Sequence, residues 1–213
     1  MDETAVTVRA VRDVGADTVA VTFDSPSGFA AEPGQFVQVF GEFEGEREGR
    51  FYTLSSPDVA ETFEVTVAVD PEGTLGPWLA AREEGDEVVV SGPFGDDFYE
   101  GEDAVVVLAG GPGVGPAVAV GERALADGAD VTVVYQDDQP VHEDRLAALS
   151  KAGARVVVVA EDVGGAVRSL TGPTGSVPFV YGFSEFCEDA IEALEAAGFD
   201  TDAAKVESFG PAP

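Results

Sequence analysis

The sequence predicts two folded units in series, a six-stranded antiparallel Greek-key barrel followed by a parallel sheet flanked by helices. Three observations predict it. Short alternating β-prone runs separated by Gly, Pro and Asp clusters fill residues 4–90. From residue 103 that alternation gives way to apolar runs and helical spacing. The 213 residues, 45% of them hydrophobic, suffice for two cores of the commonest domain size, about 100 residues each.

The runs Thr4–Val11, Thr18–Phe23, Gln35–Phe40, Arg50–Leu54, Thr62–Val69 and Glu87–Val90 read as strands. Turn clusters such as Asp24-Ser25-Pro26-Ser27-Gly28 and Glu32-Pro33-Gly34 separate them, and one short helix is expected over Gly76–Arg82. Six strands with so little helix suggest a barrel. In the second unit a buried strand at Ala104–Ala109 leads to a helix at Val114–Ala126 and a strand at Asp130–Tyr135. A helix at Glu143–Ser150, a strand at Arg155–Ala160 and a helical piece at Val163–Leu170 follow. Phe179–Tyr181, Ser184–Ala197 and Ala204–Glu207 complete the alternation. Strand–helix–strand repeated this way implies a parallel sheet with helices on both faces and ligands at the carboxyl ends of its strands. The boundary falls in the Gly- and acid-rich connector Pro93–Asp103, giving units at 1–98 and 103–213 without an internal repeat.

Charge and composition remove several function classes. Against 41 acidic residues stand 11 basic ones, a formal net charge of −30. Such a surface repels polyphosphate backbones and anionic membranes. The acids are scattered (Glu42, Glu44, Glu46, Asp96, Asp97, Asp137, Asp138), which reads as solvation in high salt and a salt-adapted source, with a functional acidic patch as the alternative. No apolar run approaches the roughly 18 residues of a membrane helix. Met1-Asp2-Glu3-Thr4 lacks the basic-then-apolar order of a signal peptide, so a cytoplasmic protein is expected. Cys187, the sole cysteine, cannot make an internal disulfide or ligate an iron–sulfur cluster, and reads as a half-buried structural thiol. His142 is the sole histidine, beside Glu143 and Asp144, and is expected at the surface. With no set of metal ligands and no catalytic triad to draw on, any chemistry must be carried by a group brought in.

Two segments could hold such a group. Val105-Val106-Val107-Leu108-Ala109 runs into Gly110-Gly111-Pro112-Gly113-Val114-Gly115-Pro116 and then an Ala-rich helix. Glycines permit a sharp turn and close approach to a diphosphate, which a helix N-terminus favours, although a plain strand-to-helix turn looks the same. In Arg50-Phe51-Tyr52-Thr53, strand alternation puts Arg50 and Tyr52 on one face and Thr53 on the other. A guanidinium pairs with a diphosphate in forked geometry, a tyrosine ring lies along a flat ring, and a hydroxyl bonds its edge. An ordinary strand with a snorkelling arginine is the alternative.

Taken together and in order, these residues resemble the ferredoxin–NADP⁺ reductase family of flavin oxidoreductases. Arg50-Phe51-Tyr52-Thr53 resembles its Arg-x-Tyr-Ser/Thr motif, and Gly73-Thr74-Leu75-Gly76-Pro77-Trp78-Leu79 resembles its Gly-x-x-Ser-x-x-Leu turn. Gly92-Pro93-Phe94-Gly95 is similar to the Gly-Pro-x-Gly that closes the barrel. Ala109–Pro116 resembles the Ala-Gly-Gly-x-Gly-Ile-x-Pro nucleotide turn. Tyr181-Gly182-Phe183 falls where the family has Cys-Gly-Pro or Cys-Gly-Leu, and Glu207-Ser208-Phe209-Gly210 is similar to its Glu-x-aromatic ending. Several ordered motifs arise together by accident far less often than one does.

The resemblance implies a flavin-binding barrel followed by a Rossmann-like sheet that binds a nicotinamide nucleotide. It implies hydride transfer from NADH or NADPH to FAD and electrons passed to an acceptor, a protein such as ferredoxin or a small molecule. On this reading FAD is held by Arg50, Phe51, Tyr52, Thr53, Val67, Gly73, Thr74, Leu75, Gly76 and Phe209, with Thr53 near the flavin N5 and Phe209 over its free face. The nucleotide is held by Gly110, Gly111, Pro112, Gly113, Val114, Gly115, Tyr135, Asp137, Tyr181, Gly182 and Phe183. Thr53, Tyr181 and Glu207 are the catalytic candidates, Glu207 as a proton relay. Two departures stand out: Gly76 replaces a hydroxyl residue, and Tyr181 replaces a cysteine, which would set a bulkier group near the nicotinamide. They keep open a flavin-binding module with weak or lost hydride transfer, beside the reading as an electron-transfer subunit of a larger complex. Tyr135-Gln136-Asp137-Asp138-Gln139 is acidic, with Arg145 the nearest cation, so NADH is expected over NADPH.

Overall fold

The computed structural model describes residues 3–43, 45–170 and 175–212. Met1, Asp2 and Glu44, which figure in the reading of charge and order above, lie outside the described residues.

The first sheet has the order β4-β3-β6-β1-β2-β5 and is antiparallel throughout. Its strands are β1 (Thr4–Gly15), β2 (Thr18–Asp24), β3 (Phe36–Phe43), β4 (Glu46–Thr53), β5 (Thr62–Ala68) and β6 (Glu87–Phe94). Alternation fills the inside: Val6 and Val8 from β1, Val21 and Phe23 from β2, Val37 and Val39 from β3, and Phe63 and Val65 from β5 share one core. Each such side chain contributes about 1.5–3 kcal/mol on full burial. The barrel closes at one point, where Leu54 bridges Val65 and the Ser55 N–H donates to the Glu64 carbonyl at 2.8 Å. Beyond that point β4 and β5 diverge and leave a free edge. Strand β4 starts earlier than its pattern predicts because Glu46, Arg47 and Glu48 pair with Phe43, Glu42 and Gly41. Those charged residues face outward and carry no apolar alternation to read. Helix α1 (Leu75–Ala80) sends Leu75 and Leu79 into the barrel core.

The second sheet is parallel, in the order β11-β10-β7-β8-β9. Strand β7 (Ala104–Gly110) leads through a 3₁₀ turn at Gly111–Gly113 into α2 (Val114–Ala126) and on to β8 (Asp130–Gln136). Then come α3 (Glu143–Ala152), β9 (Arg155–Val159), α4 (Val163–Arg168), β10 (Val177–Gly182), α5 (Ser184–Ala196) and β11 (Lys205–Ser208). Both faces of β7 are covered: Val105 and Val107 pack with α2 and α3, whereas Val106 and Leu108 pack with α4 and α5. This is why the segment reads as an unbroken apolar run. Strand order reverses between β7 and β10, and an open sheet of this kind leaves a crevice at the carboxyl ends of such a pair. Among the described residues no helix is long and apolar enough to cross a membrane.

Polar contacts pin the two sheets together. Lys205 on β11 donates to the Phe98 carbonyl and pairs with Glu100 and Glu102, while Arg123 of α2 reaches Glu32 at 3.5 Å. Arg145 of α3 bridges Glu122 of α2 at 2.7 Å and Glu64 of β5 at 3.2 Å.

Candidate flavin and nicotinamide site

The free edge left by the divergence of β4 and β5 faces the crevice between β7 and β10, and a cleft of about 290 Å³ lies between them. One wall is barrel: Arg50, Phe51, Tyr52 and Thr53 from β4, Thr66 and Ala68 from β5, and the turn Gly73–Pro77. The other wall is Pro112 and Pro116 at the start of α2, with Phe183 and Phe209 beside β10 and β11. The barrel wall is mixed, with Glu48, Arg50 and Asp70 beside Phe51, Tyr52 and Leu75, whereas the opposite wall is apolar; the volume lies just below the roughly 300–1,000 Å³ typical of ligand clefts.

All four residues of Arg50–Thr53 reach the cleft although alternation puts them on two faces, because the cleft wraps the edge of a terminal strand. Burial raises the Tyr52 phenol to about 12, so it stays a neutral ring. Thr53 is buried. Phe51 is 60% exposed and meets Phe36 and Phe94 edge-on. The Arg50 guanidinium is two-thirds exposed and paired with Glu48 at 2.8 Å. Glu48 also lines the cleft, a carboxylate that the motif reading missed and that a phosphate must displace from Arg50. On β5 alternation turns Thr66 and Ala68 to the cleft, whereas the Val67 side chain lies in the barrel core. At Gly73–Gly76 the Thr74 hydroxyl makes no cap hydrogen bond, and a Cβ at Gly76 would meet only ordinary contacts, 3.5 Å from the Ala68 carbonyl. Once Glu48 is displaced, the exposed Arg50 guanidinium, the backbone amides at a helix start, and the aromatic and proline side chains of the two walls fit a flat ring carrying a phosphate.

The glycines of the second motif are explained mainly by packing. A Cβ at Gly110 would lie 2.5 Å from the Phe186 ring, and one at Gly115 would lie 2.6 Å from the Thr66 hydroxyl. One at Gly113 would collide with the Tyr181 carbonyl. Gly111 alone takes a positive φ, 54°. Val114, the first residue of α2, is wholly buried, and Pro112 is the member of the turn that reaches the cleft, joined by Pro116 just beyond it. Phe183 and Phe209 meet edge-on at 6.2 Å, fixed by the Phe209 N–H donating to the Gly182 carbonyl at 2.9 Å.

Other expected residues lie behind the cleft. Tyr135 is wholly buried, its hydroxyl donating to Asp137 at 2.9 Å, while the second Asp137 oxygen accepts from the Gln139 N–H at 2.9 Å. The bulk expected beside a nicotinamide at Tyr181 is turned inward, because Tyr181 shares the β10 face of Phe179 and the two rings stack in the core. Its hydroxyl has no hydrogen-bond partner among the described residues, and burial pushes its pKa far up. Glu207 pairs with Tyr181 across β10 and β11, and burial together with the Asp97 charge raises its carboxyl to about 7. Cys187 is buried and donates to the Gly182 carbonyl at 3.4 Å.

His142, expected at the surface, is 1% exposed. Its backbone N–H donates to Val14 at 2.9 Å, and its Nε2 meets the Thr66 hydroxyl at 2.8 Å. Burial, then the Arg145 charge, lowers its pKa to about 4, with Glu64, Asp144 and Arg12 as its other charged neighbours. The unfolded imidazole takes its proton near 6.5, so between about 4 and 6.5 the unfolded state holds more protons. Stability therefore falls as pH drops through that window, by up to about 3 kcal/mol. Glu207 acts oppositely: the folded state holds the extra proton between 4.5 and about 7, so its contribution falls as pH rises. Chemical denaturation from pH 4.5 to 7.5 should show His142→Gln losing the acid-side decline relative to the parent, and Glu207→Gln gaining stability above pH 7.

Residues 5–99 match the oxidoreductase FAD-binding domain family. The chain is 41% identical over 103 residues to a glycine betaine monooxygenase reductase subunit of Chromohalobacter salexigens, a stretch covering 46% of this chain and 27% of that protein. It thus spans about a quarter of that relative's length. In the solved flavohem-like FAD/NAD-binding domain of a Vibrio cholerae nitric oxide dioxygenase, the same fold covers 97% of this chain and 98% of that one, with TM-score 0.84 at 22% identity. A Neisseria gonorrhoeae ferredoxin NADP⁺ reductase, solved with bound FAD and NADP, aligns over 99% of both chains with TM-score 0.77 at 16% identity. Residues 5–99 thus match the oxidoreductase FAD-binding domain family, and the chain as a whole has the two-unit fold of these two solved structures.

Proposed function

We propose that this chain is an NAD(P)H-dependent flavin oxidoreductase, with FAD on the unit at 1–98 and the nucleotide on the unit at 103–213. The observation that carries it is the two-walled cleft, in which Arg50, Tyr52 and Thr53 face Pro112, Phe183 and Phe209. Bound FAD supplies hydride acceptance and electron release in one- or two-electron steps. The chain supplies position. Arg50, once freed from Glu48, pairs with the diphosphate; Tyr52 packs along the ring; Thr53 offers a hydroxyl to its edge. Phe209, on the opposite wall, would cover the other face of the ring and exclude water from it. Glu207, with its raised pKa, can hold a proton near neutral pH behind that wall.

The NADH preference is supported by the state of the nearest cation. Arg145 is tied to Glu122 and Glu64, and the carboxylates of Asp137 and Asp138 favour a ribose hydroxyl over a phosphate. We read the −30 charge as adaptation to a saline cytoplasm, in which salt screens repulsion between this chain and an acidic electron acceptor such as ferredoxin. Comparing kcat/KM for NADH and NADPH in dilute buffer and in molar KCl tests both readings. NADH is expected to lead by about tenfold and activity to survive in KCl; a lead for NADPH overturns the first reading, and loss of activity in KCl the second.

A place as electron-transfer subunit of a larger assembly is supported by the relatives, one named as a monooxygenase reductase subunit and another as a probable dihydroorotate dehydrogenase electron transfer subunit. Co-purification with an iron–sulfur or haem partner would favour it over a diffusible acceptor.

A further inference from the structure

We propose that His142 is a positioning residue that sets the separation of the two cleft walls by seating Thr66 against the start of α2. The inference rests on the flavin–nucleotide reading of the cleft. Thr66 belongs to the barrel wall, and its hydroxyl points out of the barrel, 2.8 Å from His142 Nε2. Both residues are buried. The opposite wall begins where α2 begins, and the α2 backbone already touches Thr66: a Cβ on Gly115 would lie 2.6 Å from that hydroxyl. Pro116, the next residue, lines the cleft. Thr66 is therefore the point at which the two walls meet, and His142 is the group that holds it there.

His142 is itself fixed from several directions. Its N–H donates to Val14, its carbonyl accepts from the Leu146 N–H at 3.0 Å, and Val141 packs where Gly15 has no side chain. Its backbone is left-handed, φ 55°. Nδ1 has no partner among the described residues. A buried N–H without an acceptor is the rarer and costlier orphan, so the proton belongs on Nε2 and the imidazole donates to Thr66. The charged groups facing it are Arg145 and Asp144 from its own helix, Glu64 from β5 and Arg12 from β1. Arg145 spans Glu122 and Glu64 in the same seam, so β5 and α2 are held at two successive points.

His142 does not line the cleft, and it acts through Thr66. Displacing a wall of a hydride-transfer site by about 1 Å costs up to about a hundredfold in rate, so a small shift of β5 is readable in kinetics. The test uses the FAD-loaded full chain and four variants: His142→Leu, His142→Gln, Thr66→Val and the double variant His142→Leu/Thr66→Val. Three quantities are measured: the visible circular dichroism of bound FAD, its rate of reduction by NADH, and its rate of reduction by dithionite. His142→Leu and Thr66→Val should each alter the dichroism and slow NADH reduction about tenfold, leaving the dithionite rate unchanged. The double variant should be no slower than either single one, and His142→Gln, whose amide reaches the Nε2 position, should stay within about threefold of the parent. Parent-like dichroism and rate in His142→Leu, multiplied effects in the double variant, or His142→Gln as slow as His142→Leu would each overturn the proposal. Should His142→Leu fail to fold, Thr66→Val and His142→Gln decide by the same criteria. Should neither NADH nor NADPH reduce the parent, the nucleotide reading fails on its own and the dichroism of the variants alone decides the role of His142.

Discussion

Replacing Arg50 with Gln is expected to weaken FAD binding about a hundredfold, with little change in the stability of the chain. Among the described residues Arg50 is the one cation lining the cleft, and it lies on the terminal strand of its sheet. A forked, charge-assisted pair with a diphosphate is worth about 2–3 kcal/mol, which corresponds to this change in dissociation constant. Its present partner Glu48 is at the surface, so losing that pair costs the fold under about 1 kcal/mol. Glu48→Gln should act in the opposite direction. Removing a carboxylate that competes for the guanidinium should tighten FAD binding several-fold. Titration of each apoprotein with FAD, followed by flavin fluorescence, reads both constants. Equal affinities across the three proteins would remove Arg50 from the site.

Gly113→Ala is expected to lower unfolding stability by about 3 kcal/mol, at the upper end of what overpacking costs. The added methyl collides with the Tyr181 carbonyl, part of a strand held by β7 on one side and β11 on the other. The β10 backbone cannot move without breaking one of its two ladders, and Gly113 is held in the 3₁₀ turn at the start of α2. The contrast is Gly76→Ala in the turn of the other wall, where the methyl meets nothing closer than 3.5 Å and the change should stay under about 1 kcal/mol. Urea denaturation of the two variants separates a glycine kept for close packing from one kept for the ligand. Similar stabilities for both would contradict the packing account of Gly113.

The architecture is written plainly in the chain. Alternation locates the barrel strands, and the apolar run Val105–Ala109 followed by α2 marks the first strand of the parallel sheet and its helix. What local pattern does not carry is which way a residue faces once distant segments meet. His142 stands beside Glu143 and Asp144 and reads as surface, yet its partner Thr66 lies 76 positions earlier. Glu48 sits in a charged run whose members look alike, and only the open edge of β4 singles it out. Two orientations were legible from alternation: Val67 must oppose Thr66 and Ala68, and Tyr181 must follow Phe179 into the core. The glycines of the second motif carry the right position but an incomplete reason, since a close approach to a ligand and one to a neighbouring strand demand the same residue.

If the cleft brings a flavin and a nicotinamide into contact, anaerobic stopped-flow mixing of the FAD-loaded chain with NADH will bleach the yellow flavin absorbance in a saturable, single-turnover reaction. Firmly held FAD that keeps its full absorbance with both NADH and NADPH would show that the cleft does not bring them together.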